Sequence, residues 1–409
     1  MMKTKSKAHR LWGKFSSPRL VWLTVLWLTV AVALRPSSVV AADEVQVHPA
    51  VTFTFGEQIL FQVRLQPSAP VTKVVLFYHP ALRQGYTYTG EMTLEPDGSA
   101  YFVHDLQQEP LPPFTPVYYW FRITLKDGTT YTTPSFSFVL EDNRFEWQEM
   151  QSGPFVVKWY EGDAAFAQKV LDAAASGLVK AQEAWLAPTP EKVTIYVYAD
   201  LAALQQALGA EQWVAGHASP TLGALYVALP PGPQQELDIR RLVPHELVHY
   251  LLYQSAGDAG YRSLPTWLSE GLASNAELVP RAEYAAVLNR AVKEEHLLPI
   301  ADLCHAFPND ASGALLAYAE SASFTEYLLR RYGRTTMHNL VGVYAQGVAC
   351  NEGAEQVLGE SLSRLDRDWQ AEVFHLHLTA LILDQMLPWL LLGLVLVASL
   401  GIGAWLMLR

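Results

Sequence analysis

Residues 245–249 read His-Glu-Leu-Val-His. On a helix, side chains four positions apart lie one above the other, so His245 and His249 can close on a single metal ion. Glu246 stands about a quarter-turn round, placed to reach a water beside the metal but not the metal itself. Leu247, Val248 and Leu251 fall on the opposite face and can bury it. Pro244 suits a helix that begins about there. A catalytic zinc site takes three protein ligands and leaves a fourth position to water. A third histidine ten positions after the first is absent, because that place is Ser255. Two cysteines, Cys304 and Cys350, exclude a four-thiolate site. A carboxylate on a following helix is the remaining solution. Leu-Pro-Thr-Trp-Leu-Ser-Glu-Gly-Leu-Ala (264–273) supplies Glu270 in an otherwise apolar stretch, with Pro265 at a helix start. The expected ligands of one zinc ion per chain are His245, His249 and Glu270.

Two regions must position these groups. From Val45 to about Leu140 the sequence alternates with period two, in strand-like runs separated by turns such as Pro96-Asp97-Gly98 and Lys126-Asp127-Gly128. Seven or so short antiparallel strands predict a β-sandwich of immunoglobulin or fibronectin type over residues 43–141. Its Tyr118, Tyr119 and Trp120 suit core and cross-strand packing, or a carbohydrate or peptide platform. A polar link, Glu141 to Gly153, leads to an α+β region over 142–378. Strands at 154–162, 192–200 and 223–229 alternate with helices at Ala164–Trp185 and Leu201–Leu208. Beyond residue 236 nearly everything reads as helix.

The ends of the 409-residue chain carry its extra hydrophobicity. A basic start, an uncharged run from Leu20 to Leu34 and small residues at Val40 and Ala42 read as a signal peptide over 1–42. Met386 to Leu408 contains no charge and is long enough to span a bilayer, so 379–409 is expected to be one transmembrane anchor. Together they predict a single-pass protein of the cell membrane with its N-terminal ectodomain outside the cytoplasm. No Asn-x-Ser/Thr sequon occurs, which leans towards a prokaryotic envelope. In that oxidising compartment one Cys304–Cys350 disulfide is favoured over two free thiols. A formal net charge of −11 argues against a nucleic-acid partner.

With His245-Glu-Leu-Val-His249 followed by Trp267-Leu-Ser-Glu-Gly-Leu-Ala273, the chain resembles the gluzincin metallopeptidases, the clan of thermolysin and the M1 aminopeptidases, and most of all the peptidase MA-like domains. The resemblance covers roughly residues 150–375. It implies a thermolysin-like zincin fold with His245, His249 and Glu270 as zinc ligands and Glu246 as general base. It aligns residues 318–333 with a helix that begins with an oxyanion-stabilising tyrosine, which makes Tyr318 catalytic. Two departures stand out. The strand that should hold an acid for the substrate amino terminus reads Gly223-Ala-Leu-Tyr-Val-Ala-Leu229, with none. The acid expected four residues after the glutamate ligand is Ser274, which leaves Ser274 or Asn275 to orient a ligand histidine.

The expected function is zinc-dependent hydrolysis of peptide bonds by a zinc-activated water, with Glu246 as base and Tyr318 as oxyanion donor, on internal bonds of an extended peptide. The segment 223–229 is read as an edge strand that pairs with substrate, and His217 as a residue lining the cleft. The competing reading is an inactive or weak peptidase-fold scaffold whose β-sandwich binds a protein or glycan partner.

Overall fold

The computed structural model describes residues 45–66, 70–83, 85–209 and 215–374, with Trp389 and Leu392 beyond them. Nine strands precede residue 140: β1 (Gln46–Thr54), β2 (Gln58–Gln66), β3 (Val71–Pro80), β4 (Tyr88–Glu91), β5 (Thr93–Leu94), β6 (Ser99–Asp105), β7 (Pro116–Leu125), β8 (Thr130–Thr132) and β9 (Phe136–Val139). They form two antiparallel sheets, ordered β1-β2-β6-β5 and β4-β3-β7-β8, with β9 also paired to β7. Alternation decides the packing. Ile59, Phe61 and Val63 of β2 face Val74, Leu76 and Tyr78 of β3 and Tyr119, Phe121 and Ile123 of β7 across one core.

A second sheet follows, ordered β10-β11-β12-β14-β13. It comprises β10 (Gln148–Ser152), β11 (Phe155–Trp159), β12 (Val193–Tyr198), β13 (Gly216–Ser219) and β14 (Ala224–Ala228). Its three central strands are parallel and the outer two antiparallel. One face packs on α1 (Ala164–Trp185), whose N-terminus is capped by Asp163 accepting from Phe166 N at 2.9 Å. The other face presents Tyr196, Tyr198 and Tyr226 to Phe55 and Phe114 of the sandwich region, with α2 (Leu201–Leu208) beside them.

The helical half comprises α3 (Gln235–Tyr261), α4 (Thr266–Ala276), α5 (Ala282–Glu294), α6 (Ala311–Tyr344), α7 (Cys350–Leu358) and α8 (Leu362–Val373). Gly271 on α4 lets α6 approach closely, since a side chain there would collide with the Ser321 carbonyl and the Thr325 hydroxyl. A Cys304–Cys350 disulfide ties the turn before α6 to the start of α7.

Three expectations are corrected. The segment read as an edge strand is β14, an interior strand between β12 and β13, and the sheet edge is β13. β14 (Ala-Leu-Tyr-Val-Ala) is wholly buried, as an interior strand is, whereas β13 (Gly-His-Ala-Ser) is too short and polar to read as a strand in the sequence. Helix α3 begins nine residues before Pro244 rather than at it. The fold class that included one transmembrane helix is also corrected. Among the described residues no helix is long and apolar enough to cross a membrane. The longest, α6, carries Glu320, Glu326, Arg330, Arg331 and Arg334, where a span needs ~20 nearly uncharged residues. Residues 1–42, read as a signal peptide, and 379–409, read as the anchor, lie outside the described residues apart from Trp389 and Leu392.

Candidate metal centre

His245 and His249 project from α3 one turn apart, their rings 5.1 Å between centroids. Glu270 arrives from α4. Its Oε2 lies 3.4 Å from His245 Nε2 and 3.5 Å from His249 Nε2. That oxygen is buried and has no hydrogen-bond partner. Bonds of ~2.0–2.2 Å to a tetrahedral zinc would set ligand atoms about 3.3–3.6 Å apart, so these separations fit a shared ion. Among the described residues these three side chains are the cluster that could hold a metal.

Each histidine has an orienting partner on its other nitrogen. Glu277, buried just past α4, places Oε1 3.4 Å from His245 Nδ1, within ion-pair reach but without an aligned hydrogen bond. Arg281 grips the same carboxylate as a fork, at 2.8–3.0 Å. Tyr261 sets its hydroxyl 3.2 Å from His249 Nδ1. In a straight helix twelve residues separate two side chains by about 18 Å. Gly257, with φ +72°, breaks α3 and turns Tyr261 back to its own histidine.

Pro244 helps to hold this shell. A proline has no N–H, so it leaves the carbonyl four residues earlier without its helical donor. That carbonyl, of Arg240, accepts instead from Leu278 N at 2.8 Å. The missing bond in α3 thus fastens the segment carrying Glu277 beside His245. Lys180 of α1 adds a second tie by donating to the Glu277 carbonyl at 2.5 Å.

The electrostatics are those of a mutually balanced cluster. Burial disfavours a charged His245 ring, but Glu270 and Glu277 outweigh it and raise its pKa to about 10. Burial also works against a charged Glu270, and the two histidines reverse it, holding the carboxyl well below the usual range. Tyr318 lies seven residues into α6, not at its start. Its ring is 6.4 Å from that of His245 and edge-on to Phe307. Burial first, then the Glu270 charge, push its phenol upward, so it remains an O–H donor at neutral pH.

Glu246 is buried beneath β13, with Gly216 against its carboxylate. His217, the next residue of β13, is exposed and pairs with Tyr226 across the strand. Of the residues expected to orient the histidines, Ser274 is buried and Asn275 donates its amide to the Ala322 carbonyl at 3.0 Å. Glu277 and Tyr261 take that place. Glu277 follows Glu270 by seven residues, two helical turns, a spacing that carried the signal. Nothing local marked Tyr261, because its return depends on the Gly257 bend.

Residues 173–375 match the family described as the peptidase MA superfamily. A mutant M1 zinc metallopeptidase from Deinococcus radiodurans is similar at 14% identity, over 80% of this chain and 94% of that one, with a TM-score of 0.37. A carbohydrate-binding module of family 56, a β-1,3-glucan binding domain, is similar at 15% identity over 23% of this chain and 98% of its own, with a TM-score of 0.18. A cycloalternan-degrading enzyme from Trueperella pyogenes is similar at 18% identity over 27% of this chain, with a TM-score of 0.18, and the chain covers 13% of that enzyme. No curated protein sequence matches.

Proposed function

We infer, from the match of residues 173–375 to the peptidase MA superfamily, that the protein is a zinc-dependent peptidase of gluzincin type acting on internal bonds of extended peptides. The observation that carries this reading is the unpartnered Glu270 Oε2, set 3.4 and 3.5 Å from the two imidazole nitrogens. His245, His249 and Glu270 would hold the zinc, which when bound would supply Lewis acidity towards a carbonyl and lower the pKa of a water towards ~7.

The chain's own groups do the rest. Glu246 stands next to the cluster but outside the ligand set, so it is free to take a proton from the attacking water and pass it to the leaving nitrogen. Tyr318 keeps its phenolic proton and donates to the oxyanion as it develops. The edge strand β13 offers backbone groups for an extended substrate. Gly216-His217-Ala218-Ser219 carries no carboxylate to grip a free amino terminus, which favours internal cleavage. The disulfide supports a location outside the cytoplasm.

The test is metal analysis of the purified chain followed by digestion of a broad peptide library read by mass spectrometry. About one zinc per chain and internal cleavage are expected. Glu246→Gln should keep zinc and lose hydrolysis by at least ~10²–10⁴-fold. Unchanged cleavage by that variant would sink the assigned base, and an inert zinc-loaded wild type would favour a scaffold instead.

A further inference from the structure

A cavity of about 480 Å³ opens in the sandwich region, lined by Leu82, Arg83, Tyr86, Gln108, Glu109 and Pro110, with Tyr88 at its base. None of these belongs to the metal centre. The volume lies in the ~300–1,000 Å³ range of small-molecule sites.

The base is prebuilt. Tyr88 is buried and stacks on Tyr78, ring centroids 5.1 Å apart and planes 13° from parallel. The Tyr78 hydroxyl lies 2.7 Å from His104 Nδ1, and His104 Nε2 lies 2.8 Å from the Glu109 carbonyl. A carbonyl can only accept, so Nε2 carries the proton and Nδ1 accepts from Tyr78. This buried relay fixes the backbone that presents Gln108, Glu109 and Pro110. On the opposite side Arg83 Nη1 donates to the Tyr88 hydroxyl at 2.6 Å. Tyr86 stands edge-on to Tyr88 at 4.7 Å yet leaves 54% of its surface to solvent.

The lining chemistry selects the ligand. One guanidinium, one carboxylate and one carboxamide surround a wall of tyrosine, leucine and proline. A bound anion would meet the Glu109 carboxylate, and Arg83 is partly committed to Tyr88. A single carboxylate does not make a metal site. A neutral polyhydroxylated ring, with a C–H face for Tyr86 and hydroxyls for Arg83, Gln108 and Glu109, satisfies every group. We propose that this cavity is a carbohydrate-binding site for a neutral glycan.

The test is retention of the full-length chain on insoluble glucan and chitin, with affinities for glucose and N-acetylglucosamine hexasaccharides measured by calorimetry. Binding to at least one is expected. Tyr86→Ala and Glu109→Gln should each weaken it about tenfold or more with the cooperative melting transition retained, because Glu109 is exposed and Tyr86 is half so. Tyr101→Ala, on an exposed strand position outside the cavity, should leave it intact. Failure to bind any of these glycans, or binding that Tyr86→Ala does not weaken, overturns the proposal. Binding of library peptides that is lost in Tyr86→Ala, with no glycan bound, would overturn it in favour of a peptide site.

Discussion

Gly216 and Glu246 fit together with no room to spare: a side-chain carbon on Gly216 would lie 2.5 Å from Glu246 Oε1. The edge strand β13 therefore acts as a lid on the assigned base, and the absence of a side chain keeps the carboxylate in place. Gly216→Ala must push either the strand or the carboxylate aside. A displacement of about 1 Å in a reacting group can cost ~10²-fold. We expect kcat to fall by that order with zinc content unchanged, since the atoms nearest a carbon at position 216 belong to Glu246 and not to the proposed ligands. Loss of zinc in Gly216→Ala would contradict this.

Glu277 and Tyr261 orient the histidines without belonging to the ligand set. Partners of this kind are worth ~10–100-fold in metal affinity. Glu277→Gln and Tyr261→Phe should each raise the zinc dissociation constant within that range in competition with a chelator. Glu277→Gln should have the larger effect, because it also leaves Arg281 without its carboxylate. Equal and negligible effects would remove both from the site.

Metal binding should displace a proton. His245 holds its proton up to about pH 10 between Glu270 and Glu277, yet only a neutral imidazole can ligate. At pH 7 the chain should release about one proton from this residue per zinc bound, and affinity should climb as pH rises towards 10. Calorimetry in buffers of differing ionisation enthalpy measures the count. A value near zero would show that His245 is already neutral.

Glu320 on α6 sets a pH limit on stability away from the metal. Burial, helped by the Asp366 charge, raises its carboxyl from the ordinary 4.5 to about 8, against the pull of the Leu298 N–H it accepts at 3.0 Å. The unfolded chain loses this proton near 4.5 and the folded chain near 8. Between those values the folded state binds more protons, so stability falls as pH rises through the window. Glu320→Gln keeps an acceptor for Leu298 and has no proton to lose. Its melting temperature should exceed that of the wild type at pH 8, with the difference shrinking towards pH 4.5. A constant difference across that range would refute the assignment.

The side chains of the cluster that could hold a metal were legible along the chain. His245, Glu246 and His249 are set by the 3.6-residue period of one helix, and that period acts within a few residues whatever surrounds it. The alternation that buries Phe61, Leu76 and Phe121 is equally local. Glu270 was legible because a polar group in an apolar helix needs a partner. The tertiary structure alone decided what lies around these groups. It made β13 rather than β14 the sheet edge, by pairing the short polar run Gly216–Ser219 antiparallel to β14. It gave the Arg240 carbonyl, freed by Pro244, to Leu278, thirty-eight residues on. Through the bend at Gly257 it returned Tyr261 to His249. Each of these joins residues far apart in the chain, and no periodicity records a contact that exists only once the helices have packed.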